Sequence, residues 1–185
     1  MRTTRIFVDQ SLRTGKRIAL PEDAAVHLVR VLRMQPGDAC VLFNGDGGDY
    51  AATIVSANKR GVEADVGARR EIDNESPLRI TLVQGIARGE KMDWILQKAT
   101  ELGVTEVLPV NSDRSEVKLD AERAVKRLAH WRSVVVSACE QSGRSRVPDV
   151  AGAQPLANVA NGLGSTRRFL LDPEAADAIA TMPAL

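Results

Sequence analysis

Short apolar runs separated by turn residues dominate the first seventy positions of the chain. The runs cover residues 5–8, 16–20, 39–43, 50–55 and 62–66. The last run alternates apolar and polar residues, as a half-buried strand does. Between the third and fourth runs stands Asn-Gly-Asp-Gly-Gly, a strong hairpin signal. One helical stretch, residues 21–34, interrupts the series, so the pattern predicts a small β-barrel with an inserted helix.

The pattern changes after a polar, acidic stretch that ends at Pro77. We place a domain boundary there, which divides the chain into residues 1–72 and 73–185. Beyond it, predicted strands at 79–85, 106–110 and 168–171 alternate with predicted helices at 92–102, 120–142 and 173–180. Such alternation is typical of a parallel α/β sheet. Three strands are few for a doubly wound domain, so we expect this domain to be incomplete.

Composition excludes several classes of protein. The chain has 185 residues, of which 44% are hydrophobic and 26% charged, which is typical of a globular protein. No apolar run approaches the ~18 residues of a membrane-spanning helix, and the first five residues lack the apolar core of a signal peptide. We therefore expect a cytoplasmic protein without membrane contact. Two distant cysteines and two isolated histidines indicate neither a disulfide framework nor a metal site.

Charge is distributed unevenly along the chain. Residues 1–70 hold 11 Lys and Arg against 8 Asp and Glu, whereas the remainder holds 14 against 16. This basic bias favours an anionic partner for the first part. Aromatic residues are only 3%, which argues against a protein that stacks bases on exposed rings. Any nucleic-acid contact should therefore depend on Arg and Lys.

Four cationic segments could bind an anion. Arg30 and Arg33 lie on the predicted inserted helix, where phosphate contact and a solvated helix face explain them equally well. Lys91 lies in a glycine loop that opens onto a helix N-terminus, which suits either an anion site or a plain loop. Arg114 and Lys118 follow a strand end, where α/β sheets place their ligands.

The fourth segment ends the long helix with Gln141, Arg144 and Arg146. Two cations near the negative end of a helix dipole are explained by capping. The polarity of the loop also fits phosphate contact, and the glutamine amide can hydrogen-bond a base edge. The sequence does not distinguish helix capping from phosphate contact at this segment.

Eight segments, in order, resemble one family: the bacterial ribosomal RNA small subunit methyltransferase E enzymes, which methylate N3 of a uridine in 16S rRNA. The segments are residues 5–7, 27–33, 37–38, 42–45, 88–93 (Arg-Gly-Glu-Lys-Met-Asp), 97–104 (Gln-Lys-Ala-Thr-Glu-Leu-Gly-Val), 112–115 (Ser-Asp-Arg-Ser) and 138–144 (Ala-Cys-Glu-Gln-Ser-Gly-Arg) with Val147 and Pro148. No single segment is diagnostic, but their combined order is specific.

The resemblance implies an N-terminal PUA-like β-barrel that binds RNA, followed by a SPOUT methyltransferase domain with a C-terminal trefoil knot. It also implies S-adenosylmethionine as methyl donor, no metal, a homodimer, and 16S rRNA within the 30S subunit as partner. Residues 1–185 match up to the predicted strand 168–171 and contain neither of the family's Gly-Pro-Glu-Gly-Gly and Leu-Gly-x-Arg-Ile-Leu-Arg knot segments. We therefore expect an incomplete SPOUT domain, inactive by itself, with weak self-association and exposed apolar surface.

Site residues follow from residue type and position within the resemblance. On the barrel side we expect RNA contacts from Arg5, Arg30 and Arg33. The RNA contacts expected at the catalytic cleft are Lys91, Arg114, Lys118, Gln141, Arg144 and Arg146. The segment Leu171, Asp172 and Pro173 corresponds to the beginning of a cofactor-side loop, so its backbone is expected to touch the methionine part of the donor. No carboxylate is uniquely placed as general base, and the catalytic residue is unknown.

Two other functions compete with this one. A natural chain consisting of a barrel and half a domain would bind RNA without catalysis. A related SPOUT enzyme would methylate another RNA nucleotide, since fold does not determine substrate.

Overall fold

Two β-sheets follow one another along the chain. The computed structural model describes residues 4–58, 61–72, 74–111, 121–164, 167–172 and 174–175. The first sheet has five strands, in the spatial order Arg5–Phe7, Ala39–Phe43, Gly48–Asn58, Gly61–Glu71 and Arg17–Ala19. The second has four, in which Glu106–Asn111 pairs on one side with Thr81–Gly85 and on the other with Asp149–Val150 and Gln154–Pro155. No helix within these ranges is both long and apolar enough to cross a bilayer.

The first sheet is built around a long hairpin. Its strands are β1 (Arg5–Phe7), β2 (Arg17–Ala19), β3 (Ala39–Phe43), β4 (Gly48–Asn58) and β5 (Gly61–Glu71). β3 and β4 pair antiparallel across the predicted Asn-Gly-Asp-Gly-Gly turn, which confirms that prediction. β4 and β5 extend further than predicted, with two register shifts along the pair. Alternate side chains, among them Ile54, Ala64 and Val66, are buried in one core.

The helix predicted over residues 21–34 is shorter than expected. α1 (Glu22–Val26) passes into a π-helical turn (His27–Val31). The wide turn closes with the Leu32 amide on the His27 carbonyl and keeps Leu28 fully buried. Val29 and Val31 of the same turn remain exposed, because the core accepts only one side of it. The apolar periodicity therefore overstated the length of the helix.

The second sheet is parallel and carries two packed helices. Its strands are β6 (Thr81–Gly85), β7 (Glu106–Asn111), β8 (Asp149–Val150) and β9 (Gln154–Pro155), and its helices are α2 (Glu90–Glu101), α3 (Ala121–Ser142) and α4 (Leu156–Gly162). Both β8 and β9 pair with β7, at successive positions along one edge. Met92, Leu96, Trp131 and Val135 meet in the core between the helices and the sheet.

The third parallel strand predicted at residues 168–171 is not formed. These residues pair with no strand in the described parts of the chain, and Leu170 is 89% exposed. A strand needs a backbone partner, and among the described residues neither the outer edge of β6 nor that of β7, which β8 and β9 occupy, pairs with this run. A short apolar run therefore forms a strand only where the fold brings it alongside an edge. Pro173 and residues 176–180 of the helix predicted next lie outside the described residues.

Candidate nucleic-acid interface and domain junction

Arg5 lies at the junction between the two sheets. Its guanidinium is ion-paired with Asp49 on β4 and donates hydrogen bonds to the carbonyl of Arg144 (3.0 Å) and to Oγ of Ser145 (3.1 Å). It also lies 4.8 Å from the centre of the Phe43 ring. The Arg5 side chain is only 12% exposed. Its charge is therefore neutralised inside the protein, which differs from the open RNA contact expected of it.

Arg144 is buried deeper still, at 5% exposure. It donates to the carbonyls of Thr100 (2.8 Å) and Val104 (2.9 Å) at the end of α2. Two further bonds, of 3.0 and 2.6 Å, join it to the Glu75 carboxylate between the two sheets. The Arg144 guanidinium therefore caps free carbonyls at the end of a helix and also forms a bidentate ion pair. The donors of Arg144, for which an RNA contact was expected, are thus bonded within the protein.

The segment that follows α3 holds the first sheet through further bonds. Glu140 accepts a hydrogen bond from the Phe7 amide (3.0 Å), and Ser145 donates through Oγ to Asp49 (2.6 Å). The Gly47 amide donates to the Ser145 carbonyl (3.2 Å). We call the set Arg5, Asp49, Glu75, Glu140, Arg144 and Ser145 the junction cluster. Its charged groups pair with one another across the two sheets, and Nε of Arg5 is buried without a hydrogen-bond partner.

Arg146 and Gln141 remain open to solvent beside the junction cluster. The Arg146 guanidinium lies against Gly47, where a Cβ would stand 2.8 Å from its Nη2. Gly47 has a φ of +88°, so the turn needs glycine for its backbone, whereas the exposed Arg146 side chain can move away from a Cβ at this position. Arg146 therefore presents an exposed positive charge next to the β3–β4 hairpin.

The other predicted RNA-contacting residues are scattered. Arg30 and Arg33 are exposed at the π-helical turn, and Lys91 is exposed in the first turn of α2. Arg114 and Lys118 lie outside the described residues. The structure thus places Arg5, Arg144 and Arg146 together at the junction, whereas Arg30 and Arg33 lie in and just after the π-helical turn between β2 and β3.

Two residues of the predicted cofactor segment, Leu171 and Asp172, lie within the described part of the chain. Leu171 is 78% exposed, and Asp172 is exposed as well. The Asp172 carboxylate accepts a hydrogen bond from the Glu174 amide (3.0 Å), and its carbonyl accepts one from the Ala175 amide (3.1 Å). Pro173 lies outside the described residues. The segment therefore offers apolar side chains and a carboxylate next to each other.

The sequence did not single out the acidic partners in the junction cluster, nor a basic face on α3. Arg123, Lys126, Arg127 and His130 follow the spacing i, i+3, i+4, i+7, which places them on one side of the helix. This spacing is the sequence signal from which the basic face could have been predicted. Asp49, only 4% exposed, had no such signal because its partners are distant in sequence.

Both cysteines are poor nucleophiles. Burial raises the pKa of the Cys139 thiol to about 12 and that of Cys40 to about 11. Because the thiolate is the reactive form, neither side chain is suited to covalent catalysis near neutral pH. Within the described residues, no three His, Cys, Asp or Glu side chains are grouped to hold a metal ion.

Reactivity of the thiols tests this arrangement. In the native protein at pH 8, we expect neither Cys40 nor Cys139 to react with a disulfide reagent within minutes, since both thiols are protonated and buried. In 6 M urea both should react at the rate of free cysteine. Absorbance of the released thiolate measures this directly. Stoichiometric labelling of either thiol in the folded protein would contradict the assignment.

Comparison with known proteins gives a consistent result. A family described as "RNA methyltransferase domain" matches residues 74–185, and one described as "RNA methyltransferase PUA domain" matches residues 20–67. Ribosomal RNA small subunit methyltransferase E from Bacillus subtilis is 32% identical over 79% of this chain, which spans 58% of that relative's length.

Two solved structures are similar over most of the chain. Ribosomal RNA small subunit methyltransferase E from Neisseria gonorrhoeae, bound to S-adenosyl methionine, is 42% identical, with a TM-score of 0.85 over 89% of this chain and 67% of that one. A putative methyltransferase from Legionella pneumophila in complex with the same cofactor is 32% identical, with a TM-score of 0.93 over 99% of this chain and 76% of that one.

These matches confirm the predicted fold class, a PUA-like domain followed by a SPOUT-like methyltransferase domain. The order of the two sheets in the chain agrees with the order of the two matched domains. The chain belongs to the ribosomal RNA small subunit methyltransferase E family of RNA methyltransferases.

Proposed function

We propose that this chain supplies the RNA-binding domain and part of the catalytic domain of an enzyme that methylates N3 of a uridine in 16S rRNA. The observation that carries the proposal is the likeness to the Neisseria gonorrhoeae structure, at 42% identity and with bound S-adenosyl methionine. The substrate would be the 30S subunit, the enzyme would act as a homodimer, and the reaction would take place in the cytoplasm. We also propose the division into residues 1–72 and 73–185.

The residues at the end of the described chain suit the methyl donor, S-adenosylmethionine. Leu170 and Leu171 expose apolar side chains, and Asp172 exposes a carboxylate. Apolar surface suits the uncharged parts of this molecule, and a carboxylate suits its sulfonium or ammonium charge. When bound, the donor supplies an activated methyl group for transfer to a nucleophilic nitrogen. Leu171, Asp172 and Pro173 are therefore the residues we propose to hold it.

The chain's own part in catalysis is to position RNA. A uridine must leave its stack to present N3, so the surrounding nucleotides need to be held firmly. We propose Arg30, Arg33 and Lys91, together with Arg114, Lys118, Gln141 and Arg146, as contacts to phosphates and base edges. Arg5 and Arg144 act instead through the junction cluster, which holds the two sheets at one angle. Proximity and orientation can supply a large part of the rate.

The direct test is identification of the methylated nucleoside. We expect the full coding sequence that contains these residues to restore 3-methyluridine to 16S rRNA in a bacterium that lacks it, as measured by nucleoside mass spectrometry. Residues 1–185 alone should not restore it and should show weak donor binding by calorimetry.

Other outcomes would favour the competing functions. A different methylated nucleoside would favour a related SPOUT enzyme with another target. RNA binding by the full protein without any methylation would favour a binding module.

A further inference from the structure

The basic face of α3 belongs to none of the sites described above. Arg123, Lys126, Arg127 and His130 line one shallow, open depression on the protein surface. Seven residues separate the first from the last, which corresponds to about 10 Å along the helix. Four side chains that carry or can carry positive charge thus form a continuous strip.

Neutralisation of this strip by the protein is incomplete. Lys126 pairs with Glu122 at 2.6 Å, and His130 pairs with Asp93 at 2.8 Å. In these two pairs, the side chains of Lys126, Glu122 and His130 are more than half exposed. Exposed pairs of this kind are weak and exchange readily for another anion. Arg123 also has a partner within the protein. The strip is therefore held in place by contacts that a stronger anion can replace.

Arg127 differs from its neighbours. Its Nη1 is buried and has no hydrogen-bond partner, and no ion pair joins its guanidinium to the described residues. A buried charged donor without a partner is unfavourable, so the Arg127 guanidinium keeps hydrogen-bonding capacity that an anion could use. Arginine is also the side chain best suited to bind a phosphate with two parallel hydrogen bonds.

We propose that this strip, Arg123, Lys126, Arg127 and His130, is a docking surface for the phosphate backbone of RNA. The inference rests on the proposed function, since it assigns a second RNA contact to the same protein. The open shape favours a polymer over a small anion, because a small anion is normally bound in a concave pocket. A strip of about 10 Å is long enough to contact two neighbouring phosphates of one RNA strand. The low aromatic content also favours phosphate over base contacts.

Charge-neutral variants test the surface. We compare Lys126→Gln/Arg127→Gln with Arg17→Gln/Lys98→Gln, which removes the same charge from one exposed and one partly exposed ion pair elsewhere. Binding of a 16S rRNA fragment is measured by fluorescence anisotropy from 50 to 300 mM salt, without methyl donor. Binding weakens as salt rises, so the slope of log affinity against log salt is negative. Loss of two phosphate contacts should make this slope less steep by about 1.4–1.8. Affinity at 100 mM salt should fall about tenfold or more.

Equal slopes and affinities for the two double variants would overturn the proposal. So would a protein that binds no RNA, or a strip variant that loses binding to polyglutamate while RNA binding is unchanged. Unfolding midpoints within 2 °C of the parent protein keep a folding defect from imitating the effect. Failure of the proposed function has a different signature, since RNA binding would then depend on the strip while no 3-methyluridine is formed.

Discussion

Replacement of Arg144 by methionine is expected to lower the free energy of unfolding by about 3–5 kcal/mol, the range for removing one partner of a buried ion pair. The change leaves the Glu75 carboxylate without its cation and the Thr100 and Val104 carbonyls without their donor. Urea denaturation followed by circular dichroism measures the loss. A hydrophobic side chain of similar length keeps the packing, so the effect reports mainly on the polar partners.

Two further variants define the control for Arg144. Arg146→Met changes a nearby exposed arginine and should cost less than about 0.5 kcal/mol. Arg144→Lys keeps the charge but cannot form the bidentate fork, so its loss should lie between the other two. If Arg144→Met were no less stable than Arg146→Met, the Arg144 guanidinium would not stabilise the fold. Its expected role as an RNA contact would then be favoured again.

Replacement of Asp49 by alanine should destabilise the protein by about 3 kcal/mol, for a related reason. Asp49 neutralises Arg5 and accepts a hydrogen bond from Ser145, so its loss leaves a nearly buried guanidinium unpaired. In the double variant with Arg5→Met, the unpaired charge is removed as well. We therefore expect the double variant to be more stable than the sum of the single effects predicts, with a coupling of about 1–3 kcal/mol.

The Asp49 variant should also uncouple the two sheets. The only two tryptophans of the chain, Trp94 and Trp131, lie on α2 and α3, so fluorescence reports on the second part alone. Circular dichroism reports on both parts. In the parent protein the two unfolding curves should coincide, and in Asp49→Ala they should separate, because the bonds between the sheets are weakened. Additive energies with coincident curves would contradict a coupled junction.

Local patterns predicted much of the secondary structure. The turn residues at 44–48 predicted the β3–β4 hairpin. The spacing of apolar residues such as Met92 and Leu96 predicted α2, and that of Leu128, Val135 and Cys139 predicted α3. These signals are local, because the turn residues of a hairpin and the apolar face of a helix are both set by residues a few positions apart. The order of motifs also identified the family, since many weak matches in one sequence are jointly specific.

Predictions that depended on distant partners were less reliable. The apolar run at 168–171 has the composition of a strand, but composition does not supply an edge with which to pair. The exposed valines of the π-helical turn show the same limit, because periodicity cannot indicate how much of a helix face the core will accept.

By itself, the sequence determined the hairpin, the main helices, the α/β character of the second part and the family. Only the tertiary structure decided what each arginine does. Arg5, Arg144 and Arg146 are chemically identical, yet two are neutralised in the junction cluster and one remains exposed. The physical reason is that a guanidinium bonds to whatever anions and carbonyls the fold brings near it, and the partners of Arg5 lie 44 to 140 positions away in the chain. Partners so far apart in the chain leave no local sequence pattern from which the pairing could be predicted.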